Sequence, residues 1–142
     1  MGKEGLGWWP LTEHLCDYAA LQPELAGITV RAGNATSKAP YPCLEILWDK
    51  ESSMALHGPA KGGVSLWLDL WAAGDDQNPA AAYETLYDLQ SRVCDVLTRW
   101  SDAVWHDLNM VAKLSIAEIN SDGDSHRPLA KSRMILNIDW RK

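Results

Sequence analysis

Val64-Ser65-Leu66-Trp67-Leu68-Asp69-Leu70-Trp71, bracketed by Gly63 and Gly74, is the stretch that decides the fold. Its even positions are all aliphatic, and the alternation has the period of a strand. Leu66, Leu68 and Leu70 therefore share one face, and Trp67, Asp69 and Trp71 share the other. A leucine face needs a cover, and a candidate follows at once. Behind Asn78-Pro79, a cap and a first-turn proline, Tyr83, Leu86, Leu89, Val93, Val96, Leu97 and Trp100 recur at helical spacing. This predicts a long helix over 79–101. On its opposite face, Asp88 with Arg92 and Asp95 with Arg99 stand four residues apart, as ion pairs on a helix do.

Working outward toward the N-terminus, Leu11, Leu15 and Tyr18 behind Pro10 predict a short helix over 10–21, stopped by Pro23 and Gly27. Ile28 to Ala32 alternates and predicts a first strand. A polar loop runs from Gly33 to Pro40. Leu44, Ile46 and Trp48 then alternate with Cys43, Glu45, Leu47 and Asp49 as a second strand. Residues 49–63 have no period and end in Gly62-Gly63. They predict a long mobile loop carrying Met54, Leu56, His57 and Lys61, and loops of that length in compact domains are usually functional or disordered. Beyond the long helix, Ala112, Leu114 and Ile116 alternate, Asn120 to Asp124 is a turn cluster, and Met134, Leu136, Ile138 and Trp140 have the cleanest strand period in the chain. The expected architecture is a single α+β domain over 1–142: a largely antiparallel sheet of about five strands packed against one long helix, with a short N-terminal helix and a flexible segment over 1–9. Leu66, Leu68, Leu86, Val93, Leu97, Leu136 and Ile138 should share its core.

Composition supports one ordinary domain: 142 residues, 46% apolar and 23% charged, for which roughly two-thirds of the unfolded surface is buried on folding. The formal charge of −6 weighs against groove-type nucleic-acid binding, which needs a basic face. No apolar run approaches the roughly 20 residues that cross a bilayer, and the N-terminus lacks the apolar stretch of a signal peptide. A soluble chain made in the cytoplasm is expected. Three cysteines, Cys16, Cys43 and Cys94, without a CxxC pair point to buried thiols rather than disulfides or a zinc site. Eight Trp and no Phe point to a protein-binding surface, since the indole combines an apolar body with an N–H that wants a partner.

The candidate chemistry is thin. His14, His57, His106 and His126 have no metal-ligand spacing. Asn120-Ser121-Asp122-Gly123-Asp124 has its glycine in the wrong place for a calcium loop. Gly58-Pro59-Ala60-Lys61-Gly62-Gly63 precedes a strand, so no helix N-terminus is there to receive a phosphate. Glu45, Asp69 and Asp139 all occupy the non-core phase of their strands and are read as a solvated acidic face. No catalytic residue, metal or cofactor is expected. The feature that stands out is the Trp67, Asp69 and Trp71 face, which leaves two indoles where solvent should be. Either the N-terminal helix covers it or a neighbouring subunit does.

Laid out in this order, the chain resembles the tail terminator, or tail-completion, proteins of tailed bacteriophages and prophages. The resemblance is carried by Leu15 through Pro23-Glu24-Leu25-Ala26-Gly27-Ile28, by Pro40-Tyr41-Pro42-Cys43-Leu44-Glu45-Ile46, and by Val64 to Trp71 leading into the Ala82 to Leu97 helix. The Asp122-Gly123 turn before Arg133-Met134-Ile135-Leu136-Asn137-Ile138 completes it. Trp8, Trp9 and the 49–63 loop match nothing in that pattern. The resemblance implies a structural protein of the virion, present in the host cytoplasm during assembly. It would form a ring, commonly a hexamer, that caps the tail tube, ends its polymerisation and presents the surface for head-tail joining. Its partners would be other copies of itself, the tube protein and a head-completion or connector protein, with DNA only in transit and no membrane. On this view Trp67, Asp69, Trp71, Met54, Leu56, His57 and Lys61 contact neighbouring subunits or the tube, and Glu45 and Asp139 give the lumen an acidic lining that repels DNA. The alternatives are another neck or head-completion protein of the same virion and a small ligand-binding α+β domain.

Overall fold

The computed structural model describes residues 6–33, 40–75 and 77–142. Helix α1 (Trp8–Ala20) and a 3-10 turn (Pro23–Leu25) precede strands β1 (Thr29–Ala32), β2 (Cys43–Ala55) and β3 (Lys61–Ala73). Helix α2 (Ala81–Leu108) and strands β4 (Val111–Ser121) and β5 (Leu129–Arg141) follow. The strands form one sheet in the order β1-β2-β3-β5-β4. The fold is α+β, but the sheet is mixed: β1 runs parallel to β2, and the other neighbours are antiparallel. The expectation of a largely antiparallel sheet assumed that strands joined by short connections turn back on one another. A strand of four residues escapes that rule, because the chain has little distance to cover before starting β2 in the same direction.

The leucine face is covered as its period requires. Leu44, Ile46, Leu66, Leu68, Leu70, Met134, Leu136 and Ile138 meet Leu11 and Leu15 of α1 and Leu89, Val93, Val96, Leu97 and Trp100 of α2 in one buried cluster, with Leu86 packed against its margin. Both helices thus lie on the same face of the sheet, and α1 also touches α2. Helix α2 is longer than its stripe suggested. It runs on to Leu108 and ends where Asn109 adopts a left-handed conformation (φ 53°), donating its N–H to the Trp105 carbonyl. Asn78 and Pro79 lie in the turn before it rather than at its cap. The Asp88–Arg92 pair forms at 2.8 Å, but Arg99 turns away from Asp95 to Glu24 (2.6 Å) and to Gln22.

The long loop expected over 49–63 is mostly strand. β2 continues to Ala55 and β3 begins at Lys61, so the segment is a hairpin with its connection at residues 56–60. Alternation vanished from the sequence because β2 carries irregularities between Trp48 and Lys50 and between Glu51 and Met54, each of which shifts the phase of the side chains. Gly62 belongs to the strand for a steric reason: a Cβ there would lie 2.9 Å from the Trp140 ring and 3.1 Å from the Ser53 carbonyl oxygen. The expected flexible segment over 1–9 falls partly on described residues. Residues 1–5 lie outside the described residues, Leu6 packs against the core, and Trp8 and Trp9 open α1. Gly7 caps that helix at φ +97°, where a side chain would strain the backbone and run into the Glu51 carboxylate.

Candidate interaction surface

With both helices on the leucine face, the odd-phase residues of β2, β3 and β5 project from a face with no helix over it among the described residues. Register places them in rows. Arg31, Glu45, Asp69, Arg133 and Asn120 stand side by side across all five strands. On one side of that row lie Leu47, Trp67 and Ile135; on the other lie Cys43, Trp71 and Lys131. Two carboxylates on adjacent strands would repel, and the flanking cations resolve this. Arg133 grips Asp69 with two bonds, Nε to Oδ1 at 2.8 Å and Nη2 to Oδ2 at 3.0 Å, while Lys131 Nζ reaches Oδ2 at 3.3 Å. Arg31 Nε donates to Glu45 Oε2 at 2.8 Å, and Trp71 Nε1 donates to Oε1 at 2.8 Å. The hydrogen bond to Asp69 pushes the Arg133 guanidinium above its ordinary range.

The Trp pair is therefore neither under α1 nor bare. The Arg133 guanidinium lies 3.9 Å from the Trp67 ring centroid and Lys131 lies 4.9 Å from that of Trp71. His126 meets Trp71 edge-on at 5.0 Å and Tyr41 flanks it at 6.3 Å. The two residues expected to line an acidic lumen lie in different surroundings. Glu45 is 8% exposed and neutralised by Arg31, whereas Asp139 stands exposed several rows away, opposite Lys113. Of the remaining expected contact residues, Leu56, His57 and Lys61 are exposed at and beside the hairpin tip, while Met54 packs partly against the core.

A second aromatic cluster was missed. Trp8 stacks on Trp48 (4.2 Å, 13° between planes) with Trp9 edge-on to it at 6.0 Å, and Trp9 and Trp48 are each 47% exposed. Glu51 locks this cluster to the hairpin by accepting the Trp8 backbone N–H at 3.1 Å, a carboxylate at the positive end of α1. The only hint in the sequence was the surplus of Trp itself. Also missed was a polar link between the helices. Trp100 Nε1 donates to His14 Nδ1 at 3.0 Å, so the imidazole proton sits on Nε2, which donates to Asp107 Oδ2 at 2.7 Å. Hydrogen bonds from His106 and His14 hold the Asp107 carboxyl below its usual range. The Asp–His arrangement resembles an acid–base pair, but the indole N–H occupies the nitrogen that would take a substrate proton. It staples α1 to α2.

Burial disfavours the thiolate form of all three cysteines. Burial and the Glu45 charge push the Cys43 thiol up to about 11, and burial also raises Cys16 and Cys94. Among the described residues no group of three or more His, Cys, Asp or Glu is placed to hold a metal ion, and no helix is long and apolar enough to cross a membrane.

What these features define is a two-layer α+β domain with one sheet face left open among the described residues and a hairpin beside it. Comparison with protein-family models and with curated protein sequences finds no match for this chain.

Proposed function

We propose that this chain is a structural assembly protein of the tail-terminator kind, a ring-forming subunit that caps a phage tail tube and provides the surface for head-tail joining. The observation that supports it best is the uncovered sheet face. A row of half-buried apolar side chains, Leu47, Trp67 and Ile135, lies beside a charged row whose members neutralise one another. The apolar members are half-buried and the charges beside them are already paired, which suits a protein partner better than a small ligand. The hairpin adds reach. It presents Leu56, 67% exposed, and His57 at its tip, with Trp9 and Trp48 at its root. In this reading the hairpin and the open face contact the neighbouring subunit and the tube, and the chain works by occupying a surface rather than by catalysis.

The hairpin provides a clean test, because its tip is exposed and its loss should not touch the core. The double variant Leu56→Ser/His57→Ser should fold with an unchanged melting temperature yet fail to sediment with tube protein. Co-sedimentation at the wild-type level would remove the hairpin from the contact surface.

A further inference from the structure

The sheet ends on β4, whose outer edge is unpaired among the described residues. From Ser115 onward every residue of this strand is exposed, Ile116 at 38% and Ile119 at 42%. A free edge of eleven residues is a template for another strand. We propose that β4 pairs antiparallel with β4 of a second copy around a two-fold axis through Ser115, joining two five-stranded sheets into one.

The strand's own pattern supports this occupant. Against β5, Ala117 is looped out, because Ile116 faces Leu136 and the next residue in register is Glu118, facing Ile135. Ala112, Leu114, Ile116 and Ile119 thus share the helix side, facing Trp140, Ile138, Leu136 and Met134, while Lys113, Ser115, Glu118 and Asn120 share the open side. Let a second β4 run antiparallel with Ser115 opposite Ser115 and Ala117 looped out in both copies. Leu114 then meets Ile116, Ala112 meets Ile119, and Lys113 meets Glu118, each pair occurring twice by symmetry. Apolar residues meet apolar ones on one side and opposite charges meet on the other. An edge defended against pairing carries proline, or charges that repel in such a register. This one is neutral and complementary to itself.

What flanks the edge points the same way. Between α2 and β4 lies a groove of about 690 Å³ lined by Cys94, Leu97 and Ser101 on the helix and by Leu114 and Ile116 on the strand. Beside it Tyr83 and Tyr87 of α2 are 54% and 71% exposed. A second β4 would cover this strip with its own Leu114 and Ile116. The inference does not rest on the tail-terminator reading. The β4 edge lies at the far end of the sheet from the β2–β3 hairpin, and a two-fold contact and a ring contact are different closures that use different surfaces.

Lys113 and Glu118 are both exposed, so reversing either charge should leave the fold intact. Light scattering over a concentration series should give a dimer mass for the wild-type chain. Lys113→Glu and Glu118→Lys, each of which turns two attractive contacts into repulsive ones, should weaken the dimer by at least about tenfold. The double swap Lys113→Glu/Glu118→Lys should restore it. A wild-type chain that stays monomeric overturns the proposal, as do single reversals that leave the dimer intact and a swap that fails to rescue.

Discussion

Replacing Arg133 by Met should lower the unfolding free energy by about 3 kcal/mol, the low end of the cost of removing one partner from a buried ion pair. Asp69 is 2% exposed and sits in the middle of the sheet between β2 and β5. Arg133 supplies two of its charge-assisted bonds. Without them a buried carboxylate keeps only Lys131, and the Trp67 ring loses the guanidinium that lies over it. The loss stays at the low end because the Arg133 side chain is 32% exposed and methionine preserves most of its apolar stem. The double variant Asp69→Val/Arg133→Met separates charge from packing. It removes the stranded carboxylate as well and should recover most of the loss, since a buried pair replaced as a whole by apolar residues is often neutral. Denaturant titration of the three proteins decides. If the single variant loses less than 1 kcal/mol, the charged row does not hold the open face together.

Trp100→Ala should cost about 3–5 kcal/mol, the range for truncating a large buried aromatic residue. Its side chain is completely buried among the residues that join both helices to the sheet. It also holds the His14 ring through the indole N–H. Trp100→Phe dissects the two contributions: most of the packing stays, the hydrogen bond goes, and about 1 kcal/mol should be lost. In either variant His14 loses the donor that fixes its tautomer, so the imidazole resonances should move in a heteronuclear spectrum. Unchanged His14 signals in Trp100→Phe would show that the indole does not set the ring's protonation.

Where one period ran unbroken, the structure was legible from the residues alone. The leucine face of Val64 to Trp71, the stripe from Leu86 to Trp100 and the alternation from Met134 to Trp140 each specify an element and the side it buries, and all three meet in the core. Legibility failed at the irregularities. β2 and β4 each carry shifts of phase, at Trp48/Lys50, Glu51/Met54 and Ile116/Glu118. Beyond each shift the alternation restarts on the opposite parity, and so the far half of each strand read as loop or turn. The face carrying Trp67, Asp69 and Trp71 was visible as an anomaly. Its partners were not, because Arg31, Lys131 and Arg133 reach Glu45 and Asp69 only through cross-strand register. The odd spacing of Lys131 and Arg133 in β5 was the available signal. The link among His14, Trp100 and Asp107 joins residues far apart in the chain and left no local trace.

The central proposal is that the chain acts as a structural cap through its open face and hairpin. The most direct measurement of that proposal is electron microscopy of phage tails assembled with and without the chain. With the chain present, tubes should have one length, a ring of density at the head-proximal end that binds an antibody to the chain, and heads attached. Without it, tubes should vary in length and remain headless. Tails of uniform length that join heads in its absence would contradict the account.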